Sequence, residues 1–157
     1  MQKITTCLWF DNNAEEAVTF YTSIFKNSKV LEVSRWGEGG PGPEGSVLTM
    51  RFELDGVELM ALNGGPAFKF TEAISLSVDC QSQAEVDDLW EKLTADGGEP
   101  SQCGWLKDKF GLSWQIVPRA LPEMLGDPDP AKSRRVMEAM LKMKKIDIKT
   151  LQEAYEG

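Results

Sequence analysis

Few side chains in this 157-residue chain are suited to catalysis, and histidine is absent. Without histidine, neither a Ser-His-Asp nor a Cys-His arrangement can form. The cysteines, Cys7, Cys80 and Cys103, are odd in number and far apart, which is not typical of a disulfide framework or a zinc site. Cys7 and Cys80 flank predicted strands, where a free thiol usually packs as a small buried hydrophobe. An activated thiolate needs a cationic or histidine neighbour, so we do not expect a catalytic cysteine.

Aromatic residues form the other group with a possible function: Trp9, Trp36, Trp105, Phe110 and Trp114. Aromatic walls with a few polar groups make a pocket for a small planar or amphipathic molecule, although aromatic residues in strands also pack as core. Trp36 is the best candidate for ligand contact because it borders the glycine-rich segment 37–45. That segment cannot hold regular structure and is either a lid or a plain flexible connector.

The elements that position these residues are predicted by an internal repeat. The segments 11–25 and 79–93 carry the same pattern, displaced by 68 positions, and each follows a short apolar strand. Such a period is the signature of a duplicated structural unit. Asn13 with Glu16, and Ser82 with Glu85, predict a capping box at the start of each helix.

Further strands complete both units. The first unit also has a strand near 30–35 and a hairpin of strands 46–54 and 57–63, joined by the turn signal Asp55-Gly56. A second hairpin is predicted from Gly104 into 112–117. The pattern therefore predicts an α+β protein built from two tandem βαβββ modules, module one at 1–68 and module two at 69–120.

The segment 121–157 has no counterpart in either module. Asp129-Pro130 predicts a helix near Ala131, with Val136, Met137, Met140 and Leu141 on one side, and Asp147 predicts the cap of a second helix. We expect a C-terminal helical extension that packs on the body or across a subunit interface.

Bulk properties restrict the class of partner. The net charge of −8 argues against nucleic acid, which needs clustered basic residues. No apolar stretch approaches the roughly 18 residues of a membrane span, and no signal-peptide pattern is present. We therefore expect a cytoplasmic protein with no membrane partner.

Several motifs together resemble a known family. They are Trp-Phe-Asp at 9–11, Ala-Glu-Glu-Ala-Val-x-Phe-Tyr at 14–21, the hairpin from Asp55 to Pro66, and the segment from Gly104 to Pro118. These segments resemble the PhnB-like branch of the vicinal oxygen chelate superfamily, which includes glyoxalase I, extradiol dioxygenases and bleomycin- and fosfomycin-resistance proteins. The resemblance implies two βαβββ modules that curl into an open, cup-like barrel around one pocket, and it implies a homodimer.

In metal-dependent relatives, four inward-facing positions hold a divalent ion. Carried over by resemblance, these positions fall on Thr6, Glu58, Ala73 and Gln115. Only Glu58 is a strong ligand, whereas alanine offers no donor and threonine a weak one. We therefore expect no cofactor and no tightly bound metal, with weak Mg²⁺ binding at Glu58 and Gln115 the remaining option.

Glu58 has two interpretations. An inward-facing carboxylate on an apolar strand is a candidate general base or hydrogen-bond acceptor for a ligand. Alternatively, Glu58 lies at an exposed edge and is solvated.

The sequence favours a protein that binds a small aromatic or polar organic molecule in the cup, with Thr6, Trp36, Trp105, Trp114 and Gln115 as ligand-contacting residues. One alternative is a divergent enzyme, either a lyase or dioxygenase-like catalyst using Glu58 or the demethylubiquinone methyltransferase of the family label. Another is a sequestering protein of the drug-resistance type. The prolines of the segment 37–45 argue against the glycine-rich turn of doubly wound S-adenosylmethionine or nucleotide sites.

Overall fold

The computed structural model describes residues 2–157. The chain divides into two compact units, one ending at Lys69 and the other running from Phe70 to Gly157. Each unit contains one βαβββ module. The duplication predicted from the 68-residue displacement is therefore confirmed.

The first unit forms a four-stranded mixed sheet around one helix. Its elements are β1 (Thr6–Phe10), α1 (Ala14–Ile24), β2 (Lys29–Arg35), β3 (Val47–Leu54) and β4 (Val57–Asn63). The strand order is β1-β4-β3-β2, with β1 parallel to β4 and the other pairs antiparallel. Asp55 and Gly56 both have positive φ, 45° and 84°, as the two-residue hairpin turn requires.

The second unit repeats this order with shorter strands. Its module contains β5 (Ser75–Cys80), α2 (Gln83–Thr94), β6 (Glu99–Pro100), β7 (Trp105–Lys107) and β8 (Ser113–Pro118). The order is β5-β8-β7-β6, with β5 parallel to β8. A short 3-10 turn, Ala95–Gly97, follows α2.

Equivalent residues of the two helices are buried, as the repeat predicts. Val18 and Val86 are fully buried, as is Tyr21, and Leu89 is nearly so. One face of each sheet is thereby covered by the helix of its own unit. We call the side of each sheet without that helix its open face; in the second unit the C-terminal helices pack against the Val117 end of this side.

The two helix starts differ. Ser82 accepts a hydrogen bond from the Glu85 amide, which confirms the predicted cap, while the Glu85 carboxylate accepts from the amide of Gln81, one residue before the cap, rather than from that of Ser82. At α1 the Asn13 side chain does not cap the helix. The side-chain oxygen of Asn63 on β4 accepts from the Ala14 amide instead, at 2.9 Å. A distant strand thus caps α1, which local spacing cannot reveal.

The C-terminal segment forms three helices that belong to the second unit: α3 (Ala120–Leu125), α4 (Pro130–Met140) and α5 (Ile148–Glu156). The caps predicted at Asp129 and Asp147 are confirmed, since their carboxylates accept from the amides of Ala131 and Thr150. The short helix α3 was not predicted.

A small core joins these helices to the second sheet. Its buried members are Leu121, Val136, Ile146 and Leu151, and Val117 of β8 packs against them. The amides of Cys103 and Gly104 also donate to the carbonyls of Met143 and Lys144. The expected packing of this segment on the body is therefore confirmed, although Met137 and Leu141 are exposed rather than part of its packed face.

Within the described residues 2–157, the helices are too short or too polar to cross a lipid bilayer.

Candidate functional site

Glu58 lies on the open face of the first sheet, bound to an arginine. The Arg51 guanidinium donates from its Nη2 to Glu58 Oε1 at 2.7 Å and from its Nε to Oε2 at 3.4 Å. Its Nη1 donates to Glu32 at 2.8 Å. These hydrogen bonds, first to Glu58 and then to Glu32, raise the pKa of Arg51. Glu58 is therefore neither a free base nor fully solvated, since only 23% of its side chain is exposed.

The structure does not bring Thr6 and Glu58 to the same face. Thr6 is the register partner of Leu59, which is buried on the helix side of the sheet. Because successive side chains of a strand alternate between faces, Glu58 points to the opposite side from Leu59 and Thr6. The residues on the open face of β1 are Cys7 and Trp9.

The residues at the mapped metal positions do not fit a divalent ion. Ala73 offers no donor, Thr6 and Glu58 lie on opposite faces, and both oxygens of Glu58 are bonded to Arg51. A bound cation would have to displace the guanidinium, which already neutralises that carboxylate. Among residues 2–157, no three Cys, Asp or Glu side chains lie together as a metal-binding group.

Gln115 lies on the open face of the second sheet, at the centre of a row that crosses three strands: Trp105, Gln115 and Ser77. Its Nε2 donates to the Ser75 hydroxyl at 2.9 Å. Its register partners are Ser77 on β5 and Trp105 on β7, so both flank it on the same face. Trp105 is half-buried.

A groove of about 640 Å³ lies on this unit and includes the next residues of the same face. It is lined by Ser77, Asp79, Val117, Arg119, Pro122 and Glu123. Asp79 and Val117 are register partners, one step beyond Ser77 and Gln115. Arg119 donates to Asp79 at 2.6 Å, and this hydrogen bond raises the pKa of Arg119. The groove thus has the neutral hydroxyl of Ser77 at the end near Gln115. The ion pair of Asp79 and Arg119 lies at its other end.

Trp114 was expected to contact a ligand, but the structure places it in the core. Its side chain is 2% exposed, and its Nε1 donates to the carboxylate of Asp108 at 2.9 Å. Trp114 and Gln115 are adjacent in β8 and must point to opposite faces. Only one of them can lie on the open face of the sheet, and that one is Gln115.

Trp36 packs within its own loop. Its amide and carbonyl bond to the Ser46 carbonyl and the Gly45 amide, which closes the loop. A side-chain carbon at Gly40 or Gly42 would collide with the indole, so these glycines permit the chain to lie against it. The glycine-rich segment is therefore anchored to Trp36, and it joins two antiparallel strands, β2 and β3.

The remaining aromatic candidates and the cysteines occupy separate places. Trp9, on the open face of the first sheet, donates to the Gly65 carbonyl and packs edge-on against Phe68 at 4.8 Å between ring centroids. Burial raises the pKa of the Cys80 thiol to about 12, which suits packing rather than nucleophilic chemistry. Cys7 was expected to be buried but is exposed.

Sequence reasoning missed several polar residues of these faces. Arg51 alternates with the apolar residues of β3, and Asp79 and Arg119 each follow an apolar residue at a strand end. The alternation predicts which face Arg51 occupies. The pairing of Arg51 with Glu58 depends on strand register, which the sequence pattern leaves open.

Comparisons with known proteins show the family of this chain. A family model described as 3-demethylubiquinone-9 3-methyltransferase matches residues 2–117. The PhnB protein from Bacillus cereus, which carries the same methyltransferase label, is 41% identical, with 74% of this chain and 99% of that chain covered and a TM-score of 0.69. A search of the curated proteins found no match.

More distant structures share the fold. Protein PA1353 from Pseudomonas aeruginosa is 22% identical, with coverage of 75% and 98% and a TM-score of 0.62. The fosfomycin resistance protein FosX from Listeria monocytogenes, complexed with Mn(II) and sulfate, is 16% identical, with coverage of 75% and 91% and a TM-score of 0.52.

The duplicated βαβββ modules and these structural neighbours define a protein of the glyoxalase, or vicinal oxygen chelate, fold. Within that class, the chain belongs to the 3-demethylubiquinone-9 3-methyltransferase family, to which its similarity with the PhnB protein of Bacillus cereus also points.

Proposed function

We propose that this protein binds a small aromatic organic molecule on the open face of its second sheet, without a tightly held metal ion. The observation that carries the proposal is the continuous row formed by Trp105, Gln115 and Ser77, which leads into the groove beyond Ser77. Concave sites with an apolar wall and a few polar groups are the usual form of small-molecule sites.

The groups on this face suit a ligand with one aromatic ring and small polar substituents. The indole of Trp105 offers a flat apolar surface, on which a ring can stack. The Gln115 amide and Ser77 hydroxyl offer neutral donors and acceptors beside it. Arg119 is already paired with Asp79, so a strongly anionic ligand would have to compete with that carboxylate.

Binding is a better supported function than proton transfer at Glu58. A general base must be free to accept a proton, whereas both oxygens of Glu58 accept hydrogen bonds from Arg51. The methyltransferase name of the family gains no support from the loop at 37–45. It joins two antiparallel strands, whereas the doubly wound S-adenosylmethionine sites have a glycine-rich turn between a parallel strand and a helix.

The test is a nuclear magnetic resonance titration of ¹⁵N-labelled protein with phenol, catechol and 4-hydroxybenzoate at millimolar concentrations. We expect at least one probe to shift the indole signal of Trp105 and the side-chain amide signal of Gln115. Trp114 provides an internal control, because its indole is buried and bonded to Asp108. Its signal should stay in place.

The Gln115→Ala variant should weaken binding of that probe by about tenfold, as expected for the loss of one or two hydrogen bonds. If none of the three probes moves the Trp105 signal, or if shifts map to Trp9 and Trp36 instead, the proposed site is wrong.

A further inference from the structure

We propose that Ser113, together with Gln115, forms a subsite for the hydroxyl group of a neutral phenol or aromatic alcohol. This inference rests on the proposed function, since it assigns a chemical class to the ligand of the same open face. Ser113 is 1% exposed. Its hydroxyl oxygen is the one buried side-chain polar atom without a hydrogen-bond partner among the described residues 2–157.

A buried hydroxyl without a hydrogen-bond partner is unusual in a folded protein and needs a physical explanation. A buried polar group without a partner destabilises the folded state, and most such groups are satisfied by protein or by ordered water. A serine between the buried residues Leu112 and Trp114 packs no better than an alanine would. A partner that is bound during function removes the cost.

Strand register places Ser113 within the same polar face. Its partners are Ser75 on β5 and Lys107 on β7, and it lies two residues from Gln115 on the same side of β8. Lys107 forms an ion pair with Glu72. Both side chains of that pair are substantially exposed, so it is a weak contact that a ligand beside Ser113 can displace.

The free donors and acceptors match a hydroxyl group. Gln115 uses its Nε2 for Ser75, which leaves its carbonyl oxygen as an acceptor. The Ser113 hydroxyl can donate. A ligand hydroxyl both accepts and donates, so it satisfies Ser113 and Gln115 together, whereas a ketone satisfies only the donor and an aryl fluorine, a very weak acceptor, satisfies neither.

The position of Trp105 indicates that the ligand also has an aromatic ring. Trp105 is in register with Gln115, and Ser113 lies two residues away along β8, about 6.6 Å for an extended strand. One hydroxylated ring spans that separation, with its apolar face on the indole and its oxygen toward Ser113. The charged pair of Asp79 and Arg119 lies at the opposite end of the row.

The test compares phenol with fluorobenzene, which has a similar shape and no hydroxyl donor, by the same titration of the Trp105 signal. In the wild-type protein we expect phenol to bind on the order of tenfold more tightly. In the Ser113→Ala variant this ratio should fall by about threefold or more, because phenol then keeps only its hydrogen bond to Gln115, while fluorobenzene affinity should stay within about twofold of the wild-type value. The Ser101→Ala variant is a matched control, since Ser101 is exposed in the same unit, and it should keep the wild-type ratio.

Thermal unfolding of the unliganded variant gives a second readout. Ser113→Ala removes an unsatisfied group, so we expect its melting temperature to equal or exceed that of the wild type. If phenol and fluorobenzene shift Trp105 with equal affinity, or if Ser113→Ala keeps the wild-type ratio, the hydroxyl subsite is overturned while the proposed binding face stands. If neither compound nor the other probes shift Trp105, the binding face itself is refuted, and the subsite with it.

Discussion

Replacing Asp108 with alanine is expected to lower the free energy of unfolding by about 3 kcal/mol or more, the largest effect of any polar substitution in the second unit. Asp108 is 2% exposed. Its carboxylate accepts hydrogen bonds from the amides of Phe110 and Leu112 and from the indole of Trp114, at 2.9, 3.1 and 2.9 Å. Alanine would remove the acceptor of all three hydrogen bonds from a site where the Asp108 side chain is almost completely buried.

The physical reason is the asymmetry between making and breaking a buried hydrogen bond. A paired carboxylate contributes modestly, but each buried donor left unpaired costs about 1 kcal/mol or more. Asp108 also fixes the turn between β7 and β8, because its amide bonds the Leu112 carbonyl. Loss of this turn would disturb the strand that carries Gln115. We therefore expect weakened probe binding as well as lower stability.

Urea unfolding followed by circular dichroism measures this change. The matched control is Asp88→Ala, because Asp88 is an exposed aspartate of the same unit and pairs with Lys92 at an i,i+4 spacing on a helix surface. It should cost no more than about 0.5 kcal/mol. Equal effects of the two substitutions would mean that the Asp108 contacts do not stabilise the protein as described.

Replacing Leu151 with alanine is expected to lower the free energy of unfolding by about 2–5 kcal/mol. Leu151 is 0% exposed and belongs to the small core that joins α3, α4 and α5 to β8. Truncation removes buried methyl groups and leaves a cavity that the surrounding helices fill only in part. The loss should therefore be felt by the whole second unit.

Leu141→Ala is the matched control, since it makes the same chemical change in the same segment at a side chain that is 59% exposed. Its expected cost is at most about 0.5 kcal/mol. Both values come from urea unfolding. If Leu151→Ala is as mild as Leu141→Ala, the C-terminal helices are not part of the core of the second unit.

The duplication made most of the fold predictable. The repeat gave the two helices, and apolar alternation with the Asp55-Gly56 turn gave the first hairpin. Local caps at Ser82, Asp129 and Asp147 were also readable from spacing. The predicted cap of α1 at Asn13 was wrong. Asn63 caps this helix from 49 residues further along the chain, and no local pattern encodes that contact.

The site was harder to predict because it depends on register. The period of two already places Trp114 and Gln115 on opposite faces, so assigning both to a ligand conflicted with the geometry of a strand. The opposite faces of Thr6 and Glu58, and the pairing of Glu58 with Arg51, follow only from how β1, β3 and β4 align. Ser113 gave no signal in the sequence, because its significance is that it lacks a partner in the folded unit.

The most direct test of binding without a metal is to titrate phenol into the protein twice, once with excess EDTA and once with an equivalent of diamagnetic Zn²⁺, following the Trp105 signal. If the ligand is held by Trp105, Gln115 and Ser113 alone, the two dissociation constants should agree within about twofold, a difference smaller than one hydrogen bond contributes. Binding that appears only with Zn²⁺, or that EDTA abolishes, would contradict the account.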